Sequence, residues 1–193
     1  MKRVLYGMMA LGLFLGAGRP AKADLLSYSF SGTASGALGM NTFSDASFTI
    51  TSTGDTSLLT HPAAGVVAVP DTTATVFVSG LGTATFLIPT DNRDNQNFGS
   101  VGFSAPVQSL AILFESNPAF ATYNLTTPIG PIAGASIFNP GAEFATTAGN
   151  FSLTSVSTVT FQATLQSVPE PSAFLLVVIS MLGIGGWALR RKG

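Results

Sequence analysis

Leu26-Ser27-Tyr28-Ser29-Phe30-Ser31 and Ala46-Ser47-Phe48-Thr49-Ile50-Thr51 decide the fold class. In both, large apolar side chains alternate with small hydroxyl residues. A period of two puts every second side chain on the same face of a strand, so each stretch predicts a sheet with one buried and one wet face. Working outward, Thr75–Ser79 and Thr83–Ile88 flank Gly80-Leu81-Gly82, the pattern of a hairpin with a short glycine-rich turn. Phe98–Phe103 and Gln108–Glu115 are further strand candidates. Phe151 and Leu153 define one face near the end, and Val159, Phe161, Ala163 and Leu165 resume the alternation. Between them, the break over Ser155–Thr158 reads as a bulge or a short turn.

No long stretch carries a 3.6-residue apolar stripe, and Ser, Thr, Gly and Pro are frequent, so helices are not expected here. Short strands separated by Gly, Pro and Asn predict a mainly β domain, an antiparallel β-sandwich of jelly-roll or Greek-key type. Asn117–Gly141 holds Pro118, Pro128, Pro131 and Pro140 and is expected to be a long surface excursion with room for short helices.

The two ends differ from this middle. Met1-Lys2-Arg3 is basic, Val4–Gly18 is apolar and uncharged, and Ala21-Lys22-Ala23 precedes Asp24. Those are the three parts of a secretory signal peptide, with Ala21 and Ala23 as the small residues a signal peptidase requires and cleavage before Asp24. At the other end, Val168-Pro169-Glu170-Pro171-Ser172 leads into an uncharged apolar run, Ala173–Leu189, and then Arg190-Arg191-Lys192-Gly193. A helix of that run is about 25 Å long, at the short end of what crosses a bilayer. The basic tail favours the cytoplasmic side, and Arg190, Arg191 and Lys192 then act as a membrane stop signal. The prolines lack amide donors and cannot extend the helix upstream, so residues 168–171 are expected to be extended and accessible outside the membrane. The organisation is therefore 1–23 signal peptide, 24–167 β-rich extracytoplasmic domain, and 168–193 terminal signal with a transmembrane helix at 173–189.

This terminal arrangement resembles the PEP-CTERM sorting signal. The resemblance covers about the last 26 residues. It implies that Pro169, Glu170 and Pro171 are the recognition residues of an exosortase, a multi-span membrane enzyme that cuts near the motif. It also implies an exported precursor, held in the inner membrane with its domain outside and then passed to the cell surface or the extracellular polysaccharide. About the activity of the β domain it implies nothing.

Charge narrows the function of that domain. Between Asp24 and Val168 there is one cation, Arg93, against eight carboxylates, a formal charge of −7. Nucleic-acid binding rests on Lys and Arg neutralising phosphates, so it is excluded as an expectation. There is no cysteine, which removes thiol nucleophiles and thiolate metal sites.

Few residues suggest chemistry. Asp91-Asn92-Arg93-Asp94-Asn95-Gln96-Asn97 is dense in oxygen ligands, and Asp91 and Asp94 are the candidates for holding Ca²⁺. A turn between strands accounts for the same residues, since Asn and Asp bond nearby backbone. His61, the lone histidine, sits in a loop-like His61-Pro62-Ala63-Ala64-Gly65, without a Gly-x-Ser-x-Gly elbow elsewhere. Glu115 and Glu143 are the domain's glutamates, and nothing in the sequence brings them together as a glycosidase pair. Thr72, Thr73, Thr75, Thr83 and Thr85 make a threonine-rich hairpin of a kind that can meet ice or carbohydrate, although threonine also simply favours strands. The expectation is a structural or adhesive, non-enzymatic domain with no required cofactor. A lectin-like carbohydrate-binding module, calcium-dependent or not, is the alternative, and a secreted hydrolase is the third reading.

Overall fold

A computed structural model describes residues 25–106 and 110–166. Twelve strands lie among the described residues: β1 Leu25–Leu38, β2 Asn41–Asp55, β3 Thr60–Ala63, β4 Val66–Val78, β5 Gly82–Thr85, β6 Asp91–Asn95, β7 Ser100–Ala105, β8 Leu110–Ser116, β9 Ile129–Ile137, β10 Phe144–Thr146, β11 Gly149–Val156 and β12 Val159–Leu165. Every pairing between them is antiparallel.

The expected sandwich is not what forms. Following the pairs from β1 through β12, β9, β8, β7, β6, β4 and β2 returns to β1, which closes an eight-stranded antiparallel barrel. Closure comes from a strand that changes partners midway. β4 pairs with β6 through Val66–Pro70 and with β2 through Asp71–Val78. One strand thus turns the corner that would otherwise separate two sheets. Gly54, opposite Asp71, permits the turn: a Cβ there would lie 2.7 Å from the Val69 side chain and 3.2 Å from the Tyr28 ring. Closed barrels leave no edge to protect, which suits strands so poor in edge-guarding lysine.

The two stretches that signalled a sheet lie in the first half of β1 and the middle of β2, strands paired along nearly their full length from Leu25–Asp55 to Leu38–Asn41. Leu26, Tyr28 and Phe30 point inward and are fully buried, as are Phe48 and Ile50. The Gly80–Gly82 hairpin forms as β4–β5, with Val78 opposite Gly82 and both glycines at positive φ. The break in the C-terminal alternation separates β11 from β12, which lie end to end along β1. Beyond the barrel, β11 and β10 extend from the far half of β1. A bridge from Phe86 to Thr146 ties them back to the β5 side.

Two other expectations are corrected. Asp91–Asn95 is a strand of the barrel wall and not a turn. Asn117–Gly141 is not a surface excursion throughout: it contains β9 and a 3-10 turn, Pro118–Thr122, that plugs one barrel end. Asn117 caps that turn by accepting from the Ala119 amide. Phe120, Tyr123 and Leu125 are buried beneath it. The Phe161 ring receives the Phe120 and Tyr123 rings at 5.6 Å and 6.0 Å, both edge-on. Offset and edge-on aromatic pairs of this kind add about 0.5–1.5 kcal/mol each beyond area burial. One continuous apolar core runs from this plug to the Phe86–Phe151 contact beyond the barrel.

No helix among the described residues is long and apolar enough to cross a membrane. The expected signal peptide, with Ala21, Ala23 and Asp24 as its expected cleavage residues, lies outside the described residues. So do Pro169, Glu170 and Pro171, the expected helix 173–189, and the stop signal Arg190, Arg191 and Lys192.

Candidate functional site

Polar residues enter the barrel where β6 faces inward. On this strand Asn92 and Asp94 point into the core, opposite Phe103 and Val101 on β7. Both are fully buried. Asn92 Nδ2 donates to Ser52 Oγ at 2.7 Å and to Asp71 Oδ1 at 2.6 Å, linking β6, β2 and β4 across the interior. Two strands away Glu115 points inward beside Val101, fully buried, its side chain lying over Gly134. A larger residue at 134 would collide with it.

These groups are poorly matched. Both oxygens of Asp94, both of Glu115, and Oδ2 of Asp71 are buried without a hydrogen-bond partner among the described residues. Burial therefore dominates their titration. It pushes Asp71 and Asp94 up to about 7 and Glu115 up to about 8. For Asp71, hydrogen bonds from Thr90, Ser52 and Asn92 partly oppose that rise, and the Asp91 charge adds to it. The Tyr28 and Tyr123 hydroxyls are pushed up too, again chiefly by burial, and Asp94 contributes at Tyr123. Around neutral pH the barrel thus holds carboxyls that are largely protonated or poised to be, in a wall otherwise lined by aromatic and aliphatic side chains.

On the outer side of the same strand, Arg93 is partly exposed and Asp91 is buried beneath it. Arg93 Nε donates to Asp91 Oδ2 at 2.9 Å, and Ser104 Oγ donates to Asp91 Oδ1. Arg93 and Ser104 of this trio border a cleft of about 220 Å³, lined also by Pro106, Leu110, Ala111 and Phe114. Phe114 reaches it by lying across Gly102, where any side chain would overlap the ring. The cleft has planar polar groups on one wall and apolar surface on the other.

The calcium pair is not brought together. Asp91 and Asp94 are three residues apart on a strand, so they project from opposite faces: Asp91 pairs with Arg93 outside, and Asp94 is sealed inside. Among the described residues no group of three or more His, Asp or Glu side chains is placed to hold a metal. His61 is exposed on β3 and makes no hydrogen bond or ion pair among the described residues. Glu115 lies within the barrel, and Glu143, before β10, accepts from Asn150 at 2.7 Å on the surface. The inward carboxyls were not foreseen as a group. The available signal was an acidic residue within an apolar strand, Ala111-Ile112-Leu113-Phe114-Glu115. Comparison with protein-family models, curated proteins and solved structures finds no match to this chain.

Proposed function

We propose that the chain is an exported protein sorted through its C-terminal segment, processed by an exosortase-like membrane enzyme, and delivered to the cell surface or the extracellular matrix. Its barrel then serves as a structural or adhesive module without catalysis. The observation that carries this reading is the ordered run Val168-Pro169-Glu170-Pro171-Ser172, Ala173–Leu189 and Arg190-Arg191-Lys192, behind an N-terminal leader of matching topology. Two features of the barrel support it. The described chain enters at Leu25 and leaves at Gln166 on neighbouring strands, where the Gln166 amide donates to the Leu25 carbonyl at 2.9 Å. The two ends of the described chain are thus side by side, an arrangement that supports a barrel carried on a single terminal anchor. The interior, moreover, is occupied by its own aromatic side chains, consistent with a module that works through its outer surface.

Cell fractionation with and without the exosortase tests the proposal. Wild type is expected to move from membrane to surface or medium as a shortened product. Changing Pro169, Glu170 and Pro171 together to Ala should leave the full-length protein in the membrane. Identical processing of both proteins would reject the sorting role.

A further inference from the structure

The outer face of β12, β1, β2, β4 and β5 is a continuous hydroxyl lattice. The strand registers align Gln162, Ser29, Thr51, Thr75 and Thr85 in one cross-strand row. The row on one side holds Thr160, Ser31, Thr49, Phe77 and Thr83, and the row on the other holds Thr164, Ser27, Thr53 and Thr73. In a sheet such rows repeat about every 6.7 Å along the strands, with neighbours about 4.8 Å apart across them. Every one of these residues is at least partly accessible. Among the described residues, only Thr75 of this set uses its side-chain hydroxyl in a hydrogen bond, to the Thr51 carbonyl at 3.4 Å. The remaining hydroxyls are free to both donate and accept.

Strand propensity accounts for threonine in strands. It does not account for the exclusion of charge. Fourteen outward positions carry no Asp, Glu, Lys or Arg, in a domain whose formal charge is −7. The opposite wall is built differently, with Asp91 and Arg93 outward on β6.

From this we propose that the hydroxyl face is a binding surface for a neutral polysaccharide, an inference that rests on the extracellular destination argued above. Sugar hydroxyls are matched by groups that donate and accept in turn, and fourteen positions with no charge, bordered by Asp55 at the end of β2, select against polyanions, which the surrounding carboxylates also repel. Phe77, 45% exposed in a flanking row of the lattice, offers a ring to the apolar face of a sugar. Curvature separates the occupants. The face wraps a closed barrel, so a flexible chain can follow it, whereas a flat crystal plane such as ice would meet only a strip. Single contacts are weak, and affinity comes from many of them along one polymer.

The test uses the full chain in detergent, with co-sedimentation on insoluble neutral glucans and mannans and, in parallel, on a polyuronate. Retention on a neutral polymer and not on the polyuronate is expected. Changing Thr51, Thr73 and Thr83 together to Val, one in each row, preserves shape and strand propensity and should weaken retention at least tenfold. The matching Ser triple, which restores the hydroxyls, should bind as wild type, and circular dichroism establishes that both fold. Thr60→Val, on β3 outside the face, should bind normally. Wild type that binds no neutral polymer, binds the polyuronate equally, or inhibits ice recrystallisation instead would overturn the proposal, as would a Val triple that binds undiminished. Because binding is measured on purified protein, its failure is separable from a failure of sorting, which is read in cells.

Discussion

Tyr28 shows how a single side chain joins the wall to the plug. Its ring is part of the barrel core, and its hydroxyl donates to the Leu125 carbonyl at 2.7 Å, a contact between residues 97 positions apart. Leu125 is held there at a φ of 61°, in the left-handed region, with its side chain fully buried. A β-position side chain is disfavoured in that region by about 1–2 kcal/mol. The buried apolar contact and the tyrosine bond offset that cost. Tyr28→Phe should therefore destabilise by about 1–3 kcal/mol, because the carbonyl is left buried without its partner. Leu125→Ala, which keeps the strained backbone and removes the packing, should lose about 2–4 kcal/mol. Urea unfolding of the two variants checks both, and a Tyr28→Phe protein as stable as wild type would show that the plug is held by packing alone. At this scale the sequence was partly legible. Tyr28 was an inward residue by its period of two, but its partner lay in Asn117–Gly141, whose prolines suggested only an exposed loop. Proline marks where regular structure is interrupted and does not say whether the interrupted segment turns outward or folds back over a core.

Among the strands, β6 is the element whose reading changed most. Its polar sequence, Asp91-Asn92-Arg93-Asp94-Asn95, has no apolar alternation, and a turn was the natural expectation. It forms a strand because its neighbours supply what it lacks: Val67 and Val69 on β4 and Val101 and Phe103 on β7 bury the inward side. The alternation of β1 and β2 was readable because each strand carries its own apolar face; that of β6 was not, because its burial is conferred by context. Closure was equally hidden. A sandwich and a barrel share the same inward and outward pattern, and they differ only in whether β4 keeps one partner or takes two. The inward carboxyls yield a pH prediction at this level. Their proton affinity is raised by folding, so the folded state binds more protons than the unfolded state between the ordinary carboxylate range and about 7–8. Stability on this account is fully present below the ordinary carboxylate range and is lost progressively as pH rises from there through about 7–8. The Tyr28 and Tyr123 hydroxyls facing them stay neutral in that window, since burial raises their proton affinity as well. Melting temperature should fall between pH 5 and pH 8.5. Glu115→Gln, which fixes that group in an uncharged form, should flatten the slope and recover on the order of 2 kcal/mol at the upper end. A profile that rises with pH, or one that Glu115→Gln leaves unchanged, would show that these groups find partners in solution.

At the scale of the whole molecule, the described residues form a barrel, and the proposed function assigns its routing to the segments on either side. Among the described residues, the continuous apolar core falls between Leu26 and Ala163. β1 and β12 close the barrel side by side, with Leu26 opposite Leu165, so this seam is complete before residue 168, where the proposed sorting segment starts. Folding and destination should accordingly be separable. A chain ending at Ser167 is expected to be exported and released, and its melting temperature should match that of the full-length protein in the same detergent within about 2 °C, since a whole kcal/mol shifts a domain of this size by only about 2–4 °C. Cutting four residues deeper, at Ala163, removes Thr164 and Leu165, which pair with Ser27 and Leu26 at the closing seam. That chain should unfold at lower denaturant, because shortening the seam strips the first residues of β1 of their partners and uncovers the buried Leu26 and Tyr28 side chains. Urea midpoints of the two truncations against the full chain decide the matter. A barrel that weakens on loss of 168–193 alone would mean that the tail packs on the domain, and the separation of fold from address would fail.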